Sequence, residues 1–195
     1  ECVAFSFYHG GSCYLKSADW PRTPRDNQDV GIVRGGTGNR GVLFDDGQDM
    51  EKAAALAATA DIAIVFASTK SGEGHDRYNL NLYDGWNGDN STFSYDQLIE
   101  TVADSCKKNN TPVVVVAVSP GAILTPWRDS VDAIVAAFMP GQEYGNAISD
   151  ILFGDVAPSA KLPITFPAAE NQWGFTAAQW PGINDSSVYS EKLHV

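Results

Sequence analysis

The sequence predicts an α/β fold in which a predominantly parallel sheet is flanked by helices in a three-layer sandwich. Two observations predict it. From residue 42 onwards, apolar runs of strand length alternate with helical stretches, in the order strand, helix, strand, helix, strand, strand, helix. One of those runs, Val113 to Val118, is continuous and mostly β-branched, as strands covered on both faces are.

The elements follow in order. Residues 1–20 read as a short β-hairpin: two aromatic-rich runs, Cys2 to Tyr8 and Cys13 to Lys16, flank a His9-Gly10-Gly11 turn. Residues 21–41 read as a linker carrying Pro21, Pro24 and several glycines. Val42 to Phe44 is a short strand, and Asp45-Asp46-Gly47 turns the chain. Asp49 to Ala60 is an alanine-rich helix with acids at its start, as the helix dipole favours. Ile62 to Ala67 is a buried strand, and residues 68–93 form a long polar loop. Ser94 caps a helix reaching about Lys108, with the apolar stripe Leu98, Ile99, Val102, Ala103 and Cys106. Ala133 to Phe138 is a further strand, Glu143 to Phe153 a helix after the Pro140-Gly141 break, and Leu162 to Phe166 a last strand. The tail is irregular.

Composition narrows the function. The chain has 195 residues, with Lys+Arg 13 against Asp+Glu 24 and a net charge of −11. It is long enough for one domain with a substantial core, or one domain plus a fragment. Its acidity argues against binding nucleic acid or an anionic membrane, both of which call for excess Lys and Arg. No run approaches the roughly 20 apolar residues of a spanning helix. The N-terminus lacks the basic start and long apolar run of a signal peptide, as if cut from a longer polypeptide. There are 3 cysteines, and an odd number leaves a free thiol or a partner outside the chain. Glycosylation sequons begin at Asn90, Asn109 and Asn184; with the pair Cys2 and Cys13 they lean towards a secreted parent.

Ligands of parallel α/β sheets sit beyond the carboxyl ends of the strands. Here those ends carry residues 68–76, 119–127 and 139–143. Gly36 to Gly41 matches G-x-G-x-x-G, but a strand rather than a helix follows it, so the helix N-terminus that would meet a pyrophosphate is missing. Ser119 follows a buried strand, yet Pro120 removes an N–H that an oxyanion hole would use, and a turn is the better reading. Glu73, His75 and Asp76 are three oxygen and nitrogen donors with no matching cluster elsewhere, so no metal is assigned. Ser71-Gly72-Glu73-Gly74-His75-Asp76-Arg77 is the richest segment. Its glycines let the backbone bend and bring the Glu73 carboxylate into a neighbouring cleft, and Asp76 and Arg77 can pair and brace the loop. On their chemistry alone, a polar surface loop is slightly the better reading of these residues.

Several stretches resemble the second domain of glycoside hydrolase family 3: Ala60 to Phe66, Ser71 to Leu82, Pro112 to Val116, Ala133 to Phe138, Pro140 to Ala147 and Leu152 to Pro167. They occur in order across residues 42–195. The resemblance implies a β-glucosidase-like, exo-acting retaining hydrolase acting on a β-linked oligosaccharide or glycoside, with no cofactor. In that family the substrate lies between a barrel domain and the α/β sandwich. The resemblance places Glu73 in the acid/base role and His75 where family members often carry an aromatic residue of the leaving-group subsite. The nucleophilic aspartate comes from the barrel, which this chain lacks. Asp76, Arg77 and Glu143 are expected to brace loops. Residues 1–20 resemble the end of a PAN/apple module, which implies disulfides for Cys2 and Cys13, to each other or to upstream cysteines. Cys106 is expected to stay a buried thiol. The chain stops where relatives continue, so it is expected to be an internal, incomplete fragment of a larger hydrolase. The rival expectation is a non-catalytic secreted module that binds carbohydrate or protein and has lost the barrel.

Overall fold

A computed structural model describes residues 2–5, 33–34, 41–84, 93–190 and 192. Its strands are β1 (Cys2–Phe5), β2 (Val33–Arg34), β3 (Gly41–Asp45), β4 (Ile62–Ser68), β5 (Tyr83–Asp84), β6 (Phe93–Ser94), β7 (Val113–Val118) and β8 (Ala133–Ala136). Its helices are α1 (Met50–Ala57), α2 (Tyr95–Lys107) and α3 (Tyr144–Leu152). Six strands form one sheet in the order β2-β3-β1-β4-β7-β8. Every pairing is parallel except that of β2 with β3. β5 and β6 form a separate antiparallel pair within the long polar loop.

The alternation of side chains along the strands builds two cores. Ala63, Val65 and Ala67 of β4, with Val113, Val115 and Ala117 of β7, pack against α1 and α2. Ile64, Phe66 and Val116 pack against Ile148, Tyr144 and Leu152 of α3. The sheet is therefore the middle of three layers. Side chains cap both helices on the first face: Asp49 accepts from the Lys52 amide at 3.1 Å, and Ser94 from the Gln97 amide at 3.3 Å. Leu98, Ile99, Val102 and Cys106 form the buried stripe of α2, and each large aliphatic among them stabilises by about 1.5–3 kcal/mol. Cys106 is a free thiol. Burial, with a smaller contribution from Asp132, pushes its pKa up to about 11.

Three elements differ from the sequence reading. Cys2–Phe5 is a strand, but it lies third in the sheet and pairs in parallel on both sides, Val3 with Leu43 and Ala63. A short uncharged run can fill a central slot, and two ladders outweigh a local turn signal. The other arm of the expected hairpin lies outside the described residues. In the expected linker, Val33–Arg34 pairs with the edge of β3, which composition alone cannot foresee. Leu162 to Phe166 is not a strand. Pro163 and Pro167, within and just beyond it, lack the N–H that a ladder needs. Phe166 is instead buried edge-to-face on Phe138. Its carbonyl accepts from Arg128, and that of Pro167 accepts from the amide and hydroxyl of Thr125.

Candidate active site

The chain leaves the carboxyl end of β4 beside that of β7, where the Thr69 amide donates to Val118 at 3.1 Å. Lys70 forms an ion pair with Asp84 at 2.6 Å, so the two ends of the segment 70–84 are clipped together. Between them, Gly72 and His75 close a tight turn through the His75 amide and the Gly72 carbonyl at 3.0 Å. Gly74 takes the third position with φ +72°, where an L side chain would be strained. Glu73 and Gly74 are the tip of this turn. Residues 71–76 are all exposed, so the Glu73 carboxylate, the His75 imidazole and Asp76 stand clear of the sheet's end.

Arg77 turns inward and is half-buried. It does not pair with Asp76, as the sequence reading had it. Its Nη2 donates to the Ala122 carbonyl at 2.8 Å, on the loop after β7. Burial lowers its pKa from the ordinary arginine value. The reason is geometric: the turn leaves Asp76 in solvent, while the inward path brings the guanidinium to a backbone carbonyl. Close by, the Leu124 amide donates to the Leu80 carbonyl at 2.8 Å. The loops after β4 and β7 are thus joined twice.

The far end of the segment is held by a residue the sequence reading passed over. Leu82 is fully buried; its amide donates to Asp96 at 3.0 Å, and its carbonyl accepts from Tyr95 at 2.9 Å. The other Asp96 oxygen accepts from the Trp127 indole at 2.8 Å. Burial raises the Asp96 pKa, and the hydrogen bonds from Trp127 and Leu82 partly counter it. The available signal was an acid in the first turn of α2, which reads locally as a response to the helix dipole.

The other candidates are placed as follows. Glu143 flanks the start of α3, exposed, and accepts from the Asn146 side chain at 2.6 Å. Ser119 is buried in a turn, its hydroxyl donating to Gly121 at 2.9 Å. Asn109 donates from its side-chain nitrogen to Ala58 at 2.9 Å. Asn184 is exposed in the turn between Ile183 and Ser186, with φ 52°. Asn90 and most of the Gly36 to Gly41 motif lie outside the described residues; Gly41 opens β3. Among the described residues no group of three or more His, Cys, Asp or Glu is arranged to hold a metal. No described helix is long and apolar enough to cross a membrane.

A parallel α/β sheet with its richest polar loop beyond the carboxyl ends of central strands defines an α/β domain whose loop lies where ligands of such sheets bind. The model of the Glycosyl hydrolase family 3 C-terminal domain matches residues 10–195, and the chain belongs to that family. The match begins inside the segment that resembles a PAN/apple module. A probable β-glucosidase L of Aspergillus terreus is 42% identical over 156 residues, covering 75% of this chain and 19% of that protein. The thermostable β-glucosidase B of Acetivibrio thermocellus is 33% identical over 159 residues, covering 78% and 19%. Among solved structures, the β-glucosidase DesR of Streptomyces venezuelae in complex with D-glucose superposes with a TM-score of 0.59 at 35% identity. That likeness covers 75% of this chain and 17% of DesR. The D2-BGL β-glucosidase of Chaetomella raphigera gives 0.56 at 34% identity, covering 77% and 20%. The chain spans about a fifth of the length of these relatives.

Proposed function

We propose that this chain is the α/β half of the active site of a retaining, exo-acting β-glucosidase-like hydrolase that removes terminal non-reducing β-D-glycosyl residues. The observation that carries the reading is the exposed Glu73 at the tip of a tight turn beyond the end of β4, in a chain of this family. Retaining hydrolysis uses two carboxyl groups about 5–5.5 Å apart. An aspartate from a barrel domain of the same parent protein attacks the anomeric carbon. Glu73 gives its proton to the departing glycosidic oxygen as that bond breaks. Glu73, now a carboxylate, then takes a proton from water as the water attacks the glycosyl-enzyme and frees the aspartate. His75 lines the leaving-group side, and Arg77, rather than an Asp76–Arg77 pair, braces the loop through Ala122. The chemistry calls for no metal or organic cofactor.

The parent is proposed to be a secreted glycoprotein; the division expected from sequence, 1–20 (PAN/apple-like), 21–41 (linker) and 42–195 (sandwich), gives way to a sandwich whose sheet also takes in Cys2–Phe5 and Val33–Arg34. Of the two described glycosylation candidates, Asn184 is exposed in its turn, while a sugar on Asn109 would displace its hydrogen bond to Ala58.

The test has two arms. The 195-residue chain alone is expected to leave an aryl β-glucoside intact, and the chain joined to its barrel to hydrolyse it. In the joined enzyme, Glu73→Ala should slow substrates with poor leaving groups most. Activated aryl glycosides should stall at the glycosyl-enzyme and be rescued by azide, which needs no base. Equal slowing of all substrates with no azide rescue would remove Glu73 from the acid/base role.

A further inference from the structure

We propose that Arg77 is the positioning residue of the Glu73 turn, its guanidinium setting where the acid/base carboxylate stands by tying the loop after β4 to the loop after β7. The inference rests on the acid/base reading of Glu73 and adds what holds that group in place.

The Gly72–His75 closure fixes the shape of the turn but not its location, because residues 71–76 are all exposed. On the N-terminal side the nearest anchor is Lys70, paired with Asp84. On the C-terminal side the first side chain to enter the body of the domain is Arg77. Its hydrogen bond to Ala122 at 2.8 Å spans 45 residues of sequence and ends on the neighbouring loop. That bond is a side-chain tie from the segment between Lys70 and the Leu80–Leu124 contact to the neighbouring loop. A general acid has to reach the leaving oxygen within hydrogen-bond range, so a small displacement of the turn is costly.

The guanidinium is half used. Nη2 is bonded to Ala122, while Nη1 is buried and has no acceptor among the described residues. The tie is a single donor contact rather than a bidentate fork. A lysine ammonium can supply one donor, whereas methionine fills the space and donates nothing. This separates a positioning role from mere space-filling.

The experiment uses the complete enzyme and a series of aryl β-glucosides graded by leaving-group acidity. Arg77→Met should lower kcat by about 10–100-fold for poor leaving groups and much less for activated ones, with KM changed by no more than about 2-fold. Arg77→Lys should restore most of the loss. Glu73→Ala, with and without azide, is run alongside. If Glu73→Ala lacks leaving-group dependence and azide rescue, the acid/base reading fails and the proposal with it. If Glu73→Ala shows both and folded Arg77→Met slows all substrates equally or none, only the positioning role falls. It falls too if Arg77→Lys is no better than Arg77→Met. Melting curves confirm folding. Should Arg77→Met not fold, Arg77→Gln, whose amide can also donate, is measured against Arg77→Lys, and a loss in both independent of leaving group overturns the proposal.

Discussion

Asp96 offers the sharpest test of how the candidate site is held. Its two oxygens accept from two donors that have no water to turn to, the Leu82 amide at 3.0 Å and the Trp127 indole at 2.8 Å. Asp96→Ala strands both. Each unsatisfied buried donor costs about 1–3 kcal/mol, or about 2–6 kcal/mol for the pair. Removing a carboxylate that burial already disfavours offsets part of this, which leaves an expected loss of about 2–4 kcal/mol. Asp96→Asn keeps one acceptor and turns an NH2 towards the other donor, so it should fall between wild type and alanine. The assay is urea unfolding followed by circular dichroism, with m held in common. The double variant with Trp127→Phe should be less destabilised than the sum of the singles by about 1–2 kcal/mol, since the stranded indole donor is then gone. The sign of the pH dependence is also set. A carboxyl whose folded pKa is raised binds its proton more tightly in the folded state, so wild-type stability falls as pH rises from the usual 3.8 through the folded value. Asp96→Asn should lose that slope. An Asp96→Ala loss under about 0.5 kcal/mol, or strict additivity with Trp127→Phe, would refute the reasoning.

Three further outcomes are expected. The Tyr95 phenol is pushed up to about 12, chiefly by burial, with a hydrogen bond to Ser68 countering and Asp84 adding. The unfolded state therefore ionises first, and stability should drop by about 2–3 kcal/mol between pH 10 and 12; the urea midpoint of Tyr95→Phe should show a correspondingly flatter decline. Cys106 should ignore Ellman's reagent in the native domain and react on unfolding, because it is fully buried on α2; fast native labelling would mean that the inner face of α2 is not packed as described. Gly47 has φ +75°, and an added Cβ would lie 3.1 Å from Leu98 Cδ2. Gly47→Ala should therefore cost about 1–2 kcal/mol, read as a fall of about 3–6 °C in Tm; an unchanged Tm would contradict that turn.

Local pattern carried a large part of this fold. The β-branched run of β7, the continuous apolar run of β4 and the stripe and Ser94 cap of α2 each state their structure within a few turns of chain, because period and capping are short-range properties. The position of the Glu73 loop was legible too, since a parallel sheet puts its strand ends, and so its loops, on one edge. Tertiary structure decided what depends on distant partners. Cys2–Phe5 reads locally as one arm of a hairpin and becomes a central strand because β3 and β4 offer it two ladders. Leu162 to Phe166 has strand-like residues, but Pro163 cannot donate, and the carbonyls of Phe166 and the following Pro167 are held by Arg128 and Thr125. Arg77 beside Asp76 reads as an ion pair in sequence; the inward path of the chain gives it Ala122 instead. Asp96 reads as a helix-start acid and becomes the joint of Leu82 and Trp127. In each case the local preference is worth about a kcal/mol or less, while a buried donor or acceptor left unpaired costs about 1–3 kcal/mol, so the long-range partner wins.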